Sequence, residues 1–160
     1  MGMVAHDRSA AYAAFEAALA LSPSSGFTYI MGSLQYGWGG EAERAIEWGE
    51  RGLRFSPLDP WRFVAWHGVF AGNFQHGRYE QATSAARKAV QVNPQFSISH
   101  MLLAAALGKL GRSDEAKVAA ERVLALQPGF RISEFCAAID LTPAIAVPLT
   151  EALRQVGLPE

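Results

Sequence analysis

The chain has 160 residues, with 14 Lys/Arg against 15 Asp/Glu and a net charge of −1. Half of it is apolar, 28 residues are alanine, and only 18% are charged, below the roughly 25% of an average soluble domain. This balance removes the electrostatic drive for nucleic-acid binding. The lone Cys136 excludes an intrachain disulfide or four-thiolate zinc site, no run of about 18 apolar residues is long enough to span a membrane, and the apolar content argues against disorder.

In chain order, Met1-Gly2-Met3 reads as an added leader and His6 as part of a frayed end. The alanine-rich stretch Ala10–Leu21 has the length of a secretory core. Glu16 in its middle, and Arg8 balanced by Asp7, make it an amphipathic helix over 9–21 instead. Helices are expected over 26–37 and 41–55, the second carrying the i,i+4 pairs Glu47/Arg51 and Glu50/Arg54 on a solvated face. In the turn Ser56–Trp61, Asp59 is expected to cap the next helix with Pro60 at its first position. Helices follow over 62–75, 79–92, 97–109 and 114–126, the last capped by Ser113 with Asp114 and Glu115 in its first turn. Residues 131–139 form another helix. Thr142-Pro143 resembles an N-cap, and a helix near 149–156 ends at Gly157 and Pro159.

A repeat underlies this order. Pro23, Pro57, Pro94 and Pro128 recur at spacings of 34, 37 and 34. Twelve residues before each stands an alanine (Ala11, Ala45, Ala82, Ala116), and seventeen before the last three a glycine (Gly40, Gly77, Gly111). Glycine ends a first-type helix in a left-handed conformation, a small residue lets the second-type helix approach it, and proline stops the second. The alternative is a non-repetitive helical bundle whose prolines are spaced by accident. The pattern resembles the tetratricopeptide repeat. Its aromatic and small positions are met in part, by Tyr29 and Trp66 but then His100, and by Phe15 but then Gly49, Ala86 and Ala120. The small position after that reads Ala18, Gly52, Ala89 and Val123. The resemblance implies an all-α, right-handed superhelical solenoid of antiparallel hairpins over 9–128. It comprises a half repeat 9–23, full repeats 26–57, 60–94 and 95–128, and a helical cap at 129–160.

The chain opens on a second-type helix without a first-type partner, so a fragment of a longer protein is expected. Ala11, Phe15 and Ala18 would then miss part of their packing. The terminal helix is expected to cover the exposed face of the last hairpin. Two phrases go further: Ser56-Pro57-Leu58-Asp59-Pro60-Trp61-Arg62-Phe63 with Trp66-His67-Gly68, and Glu151–Glu160. Together they resemble the C-terminal tetratricopeptide regions of bacterial class III adenylate/guanylate cyclases, and similar regions after winged-helix DNA-binding domains. That implies a non-catalytic, cytoplasmic regulatory arm of a signalling protein.

No chemistry of the chain's own is expected. Its four aspartates are widely separated, and Gly37-Trp38-Gly39-Gly40 lacks the strand and Lys-Ser/Thr of a phosphate loop. The histidines do not pair at helical spacing, so no metal or other cofactor is expected. Cys136 reads as a small buried hydrophobe.

The resemblance implies that the concave face binds, through the second, fifth, ninth and twelfth to thirteenth positions of each repeat. Here these are Phe27, Ile30, Leu34 and Trp38, then Val64, His67, Ala71, Phe74 and Gln75, then Ile98, Met101, Ala105 and Lys109. Relatives that clamp acidic tails carry Lys, Asn or Arg there, whereas this set is mostly apolar. An apolar helix or extended segment, or a neighbouring domain of the same chain, suits it better. Several of these side chains equally suit the solenoid core, and Trp38 and Phe74, near helix ends, are expected to be the exposed ones. A homodimer formed through apolar faces is the alternative function.

Overall fold

The computed structural model describes residues 7–160; Met1-Gly2-Met3 and His6 lie outside them. Among the described residues the regular structure is entirely helical: α1 (Arg8–Leu21), α2 (Gly26–Trp38), α3 (Ala42–Phe55), α4 (Arg62–Gln75), α5 (Tyr79–Val92), α6 (Ser97–Lys109), α7 (Ser113–Leu126), α8 (Ile132–Ala138) and α9 (Pro143–Gln155). The first seven match the expected helices to within a residue or so at each end.

The turns explain the regularity. Gly40, Gly77 and Gly111 have φ of 86°, 69° and 70°, the left-handed region that a side chain disfavours. After each glycine, a backbone N–H reaches back five residues: Glu41 to Tyr36, Arg78 to Asn73, and Arg112 to Leu107, at 2.9–3.0 Å. This closes the helix end and reverses the chain. Gly157, at φ 86°, ends α9 the same way, with the Leu158 N–H on the Leu153 carbonyl.

Two capping expectations are corrected. Ser113 lies inside α7, whose N-cap is Arg112, and no side chain caps that end. Asp59 accepts from the Trp61 N–H at 2.8 Å in a local turn, and α4 starts only at Arg62, so Pro60 stays outside it. The pair Glu47–Arg51 forms at 2.7 Å.

The hairpins stack so that α2, α4 and α6 form an inner layer, with α3, α5 and α7 outside. Small residues set the closest approach. Ala45, Ala82 and Ala116 are fully buried. Gly37 lies against Ala71, Ala45 and Gly68, and a side chain at Gly68 would collide with Ser33. Ser33 buries its hydroxyl by donating to the Ala45 carbonyl at 2.8 Å. These contacts draw α2 and α4 together, while α4 and α6 touch more sparingly. The half repeat is the least enclosed: α1 has no buried residue and is held by Tyr12 stacked on Tyr36 and Phe15 edge-on to Trp48. Its Ala14 is exposed, whereas the matching Trp48, Ala85 and Ala119 are buried against first-type helices.

The C-terminal part departs most from expectation. α9 begins at Pro143, six residues before 149, and runs through Pro148. It packs chiefly on α6, the first helix of the last hairpin, and reaches beyond that hairpin onto α4.

Candidate functional site: the concave face and the helix seated on it

The inner helices present their C-terminal ends to α9. At one end of α9, the Thr142 N–H and hydroxyl both donate to the Trp38 carbonyl at the end of α2, at 3.0 and 3.2 Å. At the other, Val156 presses on α6: a Cβ built on Gly108 would lie 2.7 Å from Val156 Cγ1. Thirteen residues at about 1.5 Å each make a rod of about 20 Å, the width of two helix-to-helix steps of about 8–10 Å. α9 therefore lies across the inner layer from α2 to α6. Its fully buried Ile145, Leu149, Ala152 and Leu153 recur at i, i+4, i+7 and i+8, a single apolar stripe. They join Trp38, Phe70, Ala71, Phe74, Leu102 and Ala105 in one hydrophobic cluster. The interval where α4 and α6 touch sparingly is the one α9 fills.

This seat decides the fate of the predicted positions. Trp38 and Phe74, expected to be exposed, are 5% and 1% exposed, because the C-terminal segment covers the ends of their helices. Ala71 and Ala105 are buried in the same cluster, and Lys109 is partly exposed. Gln75 is tied down, its amide donating to the Gly37 and Ala71 carbonyls at 3.0 Å. Ile30, Val64 and Met101 are buried too: Ile30 and Val64 pack with Phe63, Ala65 and Ala89, and Met101 lies within the main core. Only Phe27, Leu34 and Ile98 keep exposed area among the apolar positions, Phe27 and Ile98 towards the N-terminal ends of α2 and α6 and Leu34 in the C-terminal half of α2. Met31, which the repeat positions skip, is partly open beside them. Its signal was the i,i+4 spacing from Phe27.

His67 is the one ionisable side chain buried in this face. Its Nε2 lies 2.8 Å from the Ser99 hydroxyl, and Phe63 and Phe96 pack on its ring. Burial pushes its pKa from 6.5 down to about 3, so the imidazole is neutral and links α4 to α6. A carboxylate-binding role would need a cation here, and this arrangement supplies none.

Other reactive groups lie apart from the concave face. Cys136 is partly buried, and burial pushes its thiol pKa up, away from a nucleophilic thiolate. His76 pairs with Glu43 at 2.7 Å. Among the described residues no three His, Cys, Asp or Glu converge as a metal would require, and no helix is long and apolar enough to cross a membrane. On the outer side, a cleft of about 690 Å³ opens between α5 and α7, over Leu103 and Leu107 of α6.

The inner and outer helix layers, the glycine turns and the concave face define a helical-repeat solenoid. A family model described as tetratricopeptide repeat matches residues 73–139, and the fold is that of a tetratricopeptide-repeat solenoid. Two experimental structures share the architecture. One is the first TPR of Spaghetti (RPAP3) bound to the HSP90 peptide SRMEEVD, with TM-score 0.62, 22% identity, and 82% of this chain and 90% of that one covered. The other is MamA, with TM-score 0.66, 20% identity, and 94% and 86% covered. No curated protein matches the sequence significantly.

Proposed function

We propose that this chain is a non-catalytic docking module whose concave face receives an apolar helical segment of a protein partner or of a neighbouring domain. The observation that carries this reading is α9: a helix with one apolar stripe already lies on that face. The tetratricopeptide fold supports a role in protein–protein interaction, and the peptide in the Spaghetti structure is an example of such a ligand. That peptide is acidic. Here the equivalent surface carries Phe27, Leu34 and Ile98, and its one basic position, Lys109, stands at the far end of α6.

Titration calorimetry on the full chain tests this. An uncharged amphipathic helical peptide is expected to bind and SRMEEVD not to. Tighter binding of SRMEEVD would reverse the assignment.

The setting we propose is the C-terminal arm of a bacterial signalling protein such as a nucleotide cyclase, or of a winged-helix regulator. The two sequence phrases support it. Reading the whole gene tests it, since the arm reading requires such a domain upstream. Self-association is the second reading, favoured by the exposed alanines of α1, Ala10, Ala13, Ala14 and Ala17. A monomeric mass in light scattering at high concentration would exclude it.

A further inference from the structure

We infer that the track under α9 is itself a helix-binding site, entered by a partner helix that takes the place of α9. This rests on the docking reading above and specifies where, and by what exchange, the docking occurs.

The way α9 is held supports exchange. Its polar fastening lies at its two ends: just past the C-terminal end the Ile132 N–H donates to the Pro159 carbonyl at 2.9 Å beside the buried Leu158, and the larger set stands at the N-terminal end. There Arg8 pairs with the Asp140 carboxylate at 2.6 Å and donates to the Asp140 carbonyl at 2.7 Å, beside the Thr142–Trp38 contacts. Both partners of that ion pair are partly exposed. The rest of the seat is apolar and non-directional. α9 joins the body through four residues, Ile139–Thr142, and touches its neighbour α8 sparingly. Pro148 inside α9 removes one backbone hydrogen bond, so α9 owes its helical form to the seat more than to its own propensity. An incoming helix with apolar residues at i, i+4, i+7 and i+8 would bury the same track that α9 gives up, and the stripe it buries would offset the four-residue stripe that α9 exposes on leaving.

The competition is set by tethering. A tethered segment faces its site at an effective concentration of the order of millimolar. A free peptide identical to α9 should therefore bind with an apparent Kd of about that concentration, however strong the seat. A helix without the internal proline should bind more tightly. The partner that fits is thus an uninterrupted amphipathic helix of about the length of α9.

The test uses the full chain with Gly108→Cys and Val156→Cys, in a Cys136→Ser background. The 2.7 Å approach of those positions brings the two Cβ atoms within disulfide reach. The probe is a fluorescein-labelled peptide of residues 142–158 carrying Pro148→Ala, followed by anisotropy. Binding to the reduced chain is expected, with a loss of about tenfold or more on oxidation. Arg8→Ala should tighten binding to the unlocked chain severalfold. Equal binding to reduced and oxidised chains would overturn the exchange while leaving an apolar docking surface elsewhere. If the probe fails to bind while the calorimetry peptide binds, the exchange alone falls. If neither binds, both readings fall. Hydrogen exchange on the unmodified chain gives a second measurement: saturating probe should strip protection from α9 amides and spare α6. Unchanged α9 protection at saturation would overturn the proposal.

Discussion

Trp38 and Phe27 stand about three turns apart on α2 and belong to the same predicted surface, yet one is 5% exposed and the other 53%. The difference continues across the inner layer. Towards the C-terminal ends of the helices, Phe74, Ala71 and Ala105 lie in the main core with α9; towards the N-terminal ends, Met31 and Ile98 remain partly open. Residue type does not separate the two ends, since both are apolar. What separates them is a helix that begins between 38 and 105 residues further along the chain, counted from Ala105 and Trp38. A repeat position marks where a side chain stands in its own hairpin; its availability to a ligand depends on what else the chain lays over it.

Mutations test this contrast in order of size. Phe74→Ala, at the covered end, should cost about 3–5 kcal/mol and Leu149→Ala about 2–5 kcal/mol, each read from urea unfolding. A cost below about 1 kcal/mol for Leu149→Ala would mean that α9 is not seated as described. His67, buried in the same face, gives a pH signature. Its pKa is about 3 when folded, so the unfolded chain binds its proton first as pH falls below 6.5. Its contribution is intact above about pH 6.5 and lost by about 1.4 kcal/mol per unit between pH 6.5 and 3, or about 2 kcal/mol at pH 5. Urea midpoints at pH 7 and pH 5 should show this loss in the native chain and not in His67→Gln; an equal loss in both would assign the effect to other groups. Arg8→Ala removes a partly exposed ion pair and should cost no more than about 1 kcal/mol. Phe27→Ala, at the open end, should change stability by about 0.5 kcal/mol or less and weaken peptide binding in the calorimetry. If it unfolded the chain instead, the open end would be core.

Most of the solenoid was legible because its punctuation is local. The glycine at each first-type end and the proline after each second-type end act through their own backbone geometry, so α4, α5 and α6 fall where the sequence places them. The register of Ala45, Ala82 and Ala116 was legible for the same reason. The start of α9 was not. Pro148 reads as a break, and a proline in a helix interior costs about 3 kcal/mol. Ile145 and Leu149 on either side of it are fully buried, and that burial holds the helix through the proline. Nor was the cover over Trp38 and Phe74 legible, because it depends on a long-range docking. One clue was present. Leu102-Leu103-Ala104-Ala105-Ala106-Leu107 is apolar around its whole circumference, and a helix of that kind must be enclosed on every side. Outer neighbours account for only part of that enclosure.

The enclosure of α6 also sets a schedule. During synthesis, α5 and α6 emerge before the segment that shields the concave side of α6, since forty-six residues separate Lys109 from Gln155. At about 5–20 residues per second, the Leu102–Leu107 run waits about 2–9 s for its cover. In that interval the nascent chain presents to its surroundings the same apolar track that the finished protein hides.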